Sequence, residues 1–144
     1  MADIAVTTAG KIRVVESIEQ LTAPAGEAIV AGAPVRINTS GVFVNGNATD
    51  GTEGAIYGLA TKSVAAGYAV TAVRKGVLDG FTLSSQAYNA LIFVSNTDAR
   101  IADAAGSQSI VVGRVIPGFA KQHGSNPDKM LLVDVGITTT HSHA

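Results

Sequence analysis

The chain contains no cysteine and no tryptophan. Without cysteine there is no disulfide framework, no thiolate nucleophile and no Cys-ligated metal, and the redox compartment is left open. Aromatic residues supply only 5% of the 144 positions, and charged residues 15%, against roughly 25% charged in an ordinary domain. Neither sign of charge dominates: ten Lys and Arg stand against eleven Asp and Glu, for a net charge of −1. A nucleic-acid partner calls for a basic face that displaces counterions from phosphates, so that class is disfavoured. Also missing is any apolar run long enough for a membrane helix. The opening MADIAVTTAGK places Asp3 before any basic residue and has no apolar core segment, so it does not read as a signal peptide. The expectation is a soluble, unprocessed protein.

What is present is an apolar fraction of 47%, rich in Ala, Val and Ile. A chain of this length buries a core without covalent staples and forms one domain. So few charges on a small protein imply that a partner covers part of its surface, which favours assembly over solitary catalysis.

Local pattern points to strands throughout. Residues 1–10 read as an extended N-terminal arm, 11–137 as the folded domain and 138–144 as a polar C-terminal tail. Lys11–Glu16 reads as a first strand. Closely spaced Pro and Gly in LTAPAGEAIVAGAPVRI rule out a long helix and leave short strands at Ala28–Val30 and Val35–Ile37. Val42–Val44 and Ile56–Ala60 follow, separated by the polar loop NGNATDGTEG, which opens on an Asn45-Gly46 turn signal. TKSVAAG is compatible with one helical turn closed by Gly67. Ala69–Val73 and Val77–Leu83 read as strands with a turn or bulge at Lys75-Gly76 between them. ALIFVS, a continuous apolar run of strand length, is expected to be covered on both faces. SIVVGRVIPG is a strand with Gly113 inside it. KMLLVDVGI alternates, with Leu131, Val133, Val135 and Ile137 on one face and Met130, Leu132 and Asp134 on the other. Eight or more short strands at regular spacing predict an all-β barrel or sandwich.

Candidate chemistry is sparse. His141 and His143 lie on one side of an extended tail, a spacing that suits a transition metal, but no third ligand is near in sequence. His123 sits among turn formers in KQHGSNPDK and reads as a surface-loop residue, and no nucleophile elbow accompanies it. Asp50 and Glu53 in the Gly-rich loop invite a calcium reading, but the ligand spacing of an EF-hand is absent, and a solvated loop is the simpler account. No phosphate cradle of either Gly-rich type occurs. Arg74-Lys75 serves either to pair with acidic groups on a partner or to blunt a strand edge. The residues predict neither an enzyme nor a bound cofactor.

The order of segments carries a resemblance. Tyr57-Gly58-Leu59-Ala60, the stretch from Ala65 to Gly76, the strand end Val94–Thr97 and the strand Val112–Val115 resemble, in type and succession, the small head decoration, or capsid cement, proteins of tailed bacteriophages. The likeness spans residues 2–136 and leaves out the loop from Asn45 to Gly54 and the His-bearing tail. It implies a non-enzymatic virion protein on the outer capsid surface, a homotrimer that ties neighbouring major capsid protein subunits together. It also implies an N-terminal arm that adds a strand to a neighbouring sheet edge. The contact residues expected on this basis are Ala2, Ile4, Val6 and Thr8 of the arm, with Arg13, Arg74 and Lys75 on the body. A competing class is the biotinyl or lipoyl carrier, which needs a lysine at the tip of an exposed hairpin; Lys75 before Gly76 is its candidate.

Overall fold

The computed structural model describes residues 2–5, 12–123 and 126–136. Among them are ten strands and no helix. The strands are β1 (Asp3–Ile4), β2 (Arg13–Pro24), β3 (Pro34–Ile37), β4 (Phe43–Asn45), β5 (Ile56–Ala60), β6 (Ala69–Asp79), β7 (Leu91–Val94), β8 (Ile101–Ala102), β9 (Val111–His123) and β10 (Asn126–Asp134). Paired strands run antiparallel in the order β1-β8-β7-β9-β10-β6-β5-β3-β4, with β2 also on β6. The sheet does not close into a barrel; the fold is sandwich-like.

β6 organises the molecule. It pairs with β2 along its whole length, from Ala69↔Pro24 to Asp79↔Arg13. A strand has two edges, so β5 at Ala72 and Val73 and β10 at Lys75 to Leu78 must share the other one. Successive side chains of a strand point to opposite faces. With Arg74 left out of the ladder by a bulge, Val73 and Leu78 fall on one face and enter a large core with Leu59, Ile92, Leu131 and Val133, while Val70 and Ala72, on the other, enter a smaller one with Ile29, Val35 and Phe43. Six of the eleven residues of β6 are buried.

Several expectations change. Lys75-Gly76 does not divide two strands: β6 runs through it, and the irregularity is a bulge that leaves Arg74 unpaired between Lys75↔Glu19 and Val73↔Gln20. Gly76 is required there, because a Cβ would lie 2.2 Å from the Glu16 carbonyl oxygen. Ala28–Val30 is not a strand; only Ile29 bridges, to Val64. That same bridge draws out the residues expected as a helical turn, with Val64 N–H donating to Ile29 O at 2.8 Å. β2 continues eight residues past Glu16, because β6 offers a partner along that whole length. ALIFVS is covered on one face: Ile92 and Val94 are fully buried, but Leu91 is exposed and Phe93 half-buried.

β9 and β10 also extend further than their apolar cores suggest. β7 meets β9 only between Val111 and Arg114, and β6 meets β10 only between Leu131 and Asp134. Beyond Pro117 and Lys129 the two strands pair only with each other, out to His123↔Asn126, as a two-stranded ribbon. The backbone of His123 thus closes a strand rather than lying in a loop.

Candidate functional site

The feature that stands apart is β2. None of its twelve residues is buried, and only Val15 and Ala23 are half-buried. Val14 is 42% exposed, Ile18 69% and Leu21 38%. Among the described residues its edge away from β6 pairs with no strand. Both of its faces therefore meet solvent even though it is fully hydrogen-bonded along one edge.

Its register on β6 is broken three times, between Val14 and Glu16, between Ser17 and Glu19, and between Glu19 and Gln20. Val15 and Ile18 are the extra residues. Each bulge resets the alternation, so Arg13, Glu16 and Glu19 come opposite Asp79, Val77 and Lys75. Those three positions of β6 share a face, and the charges of β2 gather on it. Arg13 Nη2 donates to Asp79 Oδ2 at 2.7 Å, with the Arg13 side chain 73% exposed.

Arg74, the residue left over in β6, is used inside the chain. Its Nη1 donates to Glu19 Oε2 at 2.5 Å and its Nε to the Val135 carbonyl at 2.8 Å. It pins β2 to β6 and to the end of β10. Nearby, the Tyr57 ring is tilted against Phe43 at 5.9 Å between centroids. Burial, reinforced by the Glu19 carboxylate and partly offset by the Arg74 guanidinium, raises the Tyr57 phenol above the ordinary tyrosine range. Lys75 is exposed and makes no ion pair among the described residues. It lies inside β6, between Glu19 and Asp134 on the neighbouring strands, and not at the hairpin tip that a biotinyl or lipoyl carrier presents.

The described arm residues, 2–5, are docked on their own chain. Asp3 and Ile4 pair with Ala102 and Ile101. Ala2 N–H donates to Asp103 Oδ1 at 2.8 Å, Ser95 Oγ donates to Asp3 Oδ1 at 2.5 Å, and Thr82 N–H donates to Ala5 O at 2.8 Å. Ile4 is 4% exposed and belongs to the large core. Val6 and Thr8 lie outside the described residues, as do His141 and His143.

The loop from Asn45 to Gly54 is solvated at its tip, where Thr49, Asp50, Gly51 and Thr52 are exposed, and packed on either side of it. Ala48 is fully buried, its N–H donates to Ser95 O, and Gly54 lies against Ile110. Its acids are engaged within the chain: Asp50 Oδ1 accepts from Glu53 N–H, and the Glu53 carboxylate pairs with Arg36 at 3.3 Å. Among the described residues no group of three or more His, Asp or Glu converges on a common point.

Two of the depressions on the described surface bear on the site. One, of about 360 Å³, lies between the arm, the Val30–Ala33 turn and the Asp98–Ile101 loop; Asp98 and Arg100 are its charged lining residues. The other, of about 380 Å³, lies on β7, β9 and β10, lined by Leu91, Val111, Gly113, Arg114, Leu132 and Asp134. It occupies the face that ALIFVS leaves uncovered. In the cross-strand row Leu91↔Arg114↔Leu132, the arginine stands between two leucines.

Sequence reasoning identified Arg74 and Lys75 but missed β2 beyond Glu16 and the depression beside Leu91. The mixed segment SIEQLTAP has no apolar alternation, because neither of its faces is buried. Comparison with protein-family models, curated proteins and solved structures finds no match to this chain.

Proposed function

We propose that this chain is a structural virion protein of the tailed-phage head decoration type. In this reading it binds the outer capsid surface as a homotrimer and ties neighbouring major capsid protein subunits together. The observation that carries the reading is β2, a twelve-residue strand with no buried residue beside a strand that has a core on both sides. An all-β body that shows this much strand surface to solvent fits a protein completed by partners. Many copies on one lattice act together, so each contact can be weak and the shell still gains resistance to internal pressure.

The docking of Ala2–Ala5 changes which contacts serve this role. Ile4 supports the core, so the body-surface cations Arg13 and Lys75, both on the charged side of β2 and β6, are the better candidates for pairing with acidic groups on the shell. Arg74 holds β2 in place for them.

The test is rebinding of purified protein to particles that lack it. Wild type is expected to restore occupancy and raise the temperature at which the particles release their DNA. The pair Arg13→Glu and Lys75→Glu is expected to lower occupancy while leaving the far-ultraviolet dichroism unchanged. Wild-type protein that neither binds the particles nor protects them would overturn the reading.

A further inference from the structure

We propose that the bulge of β2 in one copy docks into the Leu91–Leu132 depression of a second copy of this chain, a head-to-tail self-association centred on Ile18. This names the contact between copies in the homotrimer proposed above and rests on that reading for the assembly it builds.

The bulges settle which kind of contact β2 makes. An open strand edge normally invites another strand, whose main chain pairs with its free N–H and C=O groups. β2 breaks register three times within the stretch from Val14 to Gln20. Bulges bend and twist an edge away from regular pairing and are a recognised protection against it. What the second bulge offers instead is a single side chain. Ile18 has no partner on β6, is 69% exposed and is flanked by Glu16 and Glu19. An isoleucine this exposed on a strand otherwise held in place is an apolar knob inside an acidic frame.

The matching hole is on the same molecule. The depression of about 380 Å³ has Leu91, Val111 and Leu132 as its apolar walls, with Gly113 at backbone level and Arg114 on its rim. Gly113 lines it with backbone alone, since a Cβ there would lie 1.8 Å from the Leu132 carbonyl oxygen. Arg114 uses Nη1 on Asn89 O and Oδ1 and forms no ion pair among the described residues. Glu16 likewise forms none. Asp134, the acid on the opposite rim, lies across the ladder from Lys75. Seating Ile18 over the depression, against Leu91, Val111 and Leu132, places Glu16 beside Arg114, which stands between the two leucines, so that apolar and ionic groups both find partners. Charge complementarity selects a second copy as the occupant, because each copy carries both halves. Contacts of this kind join different patches and so build rings or chains rather than twofold dimers.

Sedimentation velocity on the full chain, without capsid, tests this. Wild type is expected to show concentration-dependent species larger than the monomer, and Ile18→Lys to sediment as a monomer with unchanged dichroism. Glu16→Arg and Arg114→Glu should each weaken association by about tenfold or more, and the two in one chain should restore it to near the wild-type level. A wild-type monomer at millimolar concentration, or a charge-reversed pair that stays dissociated, overturns the interface. Neither result bears on particle rebinding, which reads the capsid role separately.

Discussion

β6 and β2 lie side by side, eleven and twelve residues long, and share a hydrogen-bonded ladder, yet one has six buried residues and the other none. β6 reads AVTAVRKGVLD and feeds small apolar side chains to both faces, because the two cores meet across it. β2 reads RVVESIEQLTAP and feeds neither core fully. Val14 faces the same side as its ladder partner Leu78, yet it is 42% exposed where Leu78 is fully buried. The large core ends between them. Backbone pairing and burial are thus separable here: the ladder and the Arg13–Asp79 and Glu19–Arg74 pairs hold β2 in place without a core beneath it, and its exposed apolar side chains remain available for contacts outside the chain.

The largest effect expected from this contrast is between those two partners. Leu78→Ala removes a fully buried side chain and is expected to cost about 2–5 kcal/mol of stability. Val14→Ala on the same rung should cost less than about 1 kcal/mol, since much of that side chain is already hydrated. Urea denaturation of the two variants measures the difference, and equal losses would show that β2 is as much a core strand as β6.

Next in size is the seam. Gly76→Ala sets a methyl group against the Glu16 carbonyl and forces β2 and β6 apart, at an expected cost of about 1–3 kcal/mol. Hydrogen exchange should then speed up for the amides of β2 before those shared by β6 and β10. Uniform acceleration across the sheet would mean that β2 is not a separately opening unit.

The smallest effect is electrostatic. The folded chain holds the Tyr57 proton more tightly than the unfolded chain does, because burial and the Glu19 carboxylate raise its pKa. Above the ordinary tyrosine range unfolding therefore releases that proton. The associated stability is fully present below that range and is lost as pH rises through the raised folded value. Tyr57→Phe should flatten this alkaline decline in melting temperature. An unchanged slope would remove Tyr57, and the Glu19–Arg74 pair beside it, from the account of the seam.

Where one face of a strand is buried, the pattern of residues was legible. The alternation through Leu131 and Val133 appears as read, because core burial imposes a period of two, and Ile56–Ala60 appears as an apolar strand that feeds Leu59 to one core and Ala60 to the other. The bulge at Lys75-Gly76 was legible as one of two alternatives, a turn or an interruption within one strand; the choice between them rested on Glu16, sixty residues earlier in the chain. The packed loop around Ala48 was not legible, since its polar residues satisfy one another and its one buried side chain is small. SIEQLTAP carried no strand signal, because its structure comes from a partner strand and not from its own amphipathicity.

Composition and local pattern by themselves determined that this chain is all-β, free of disulfides and poor in surface charge, since those follow from residue type and short-range periodicity. Only the tertiary structure decided which strand lies between two cores and which lies outside both, where the arm rests and which cations remain unpaired. Those outcomes depend on contacts between residues distant in sequence, and local propensity does not encode them.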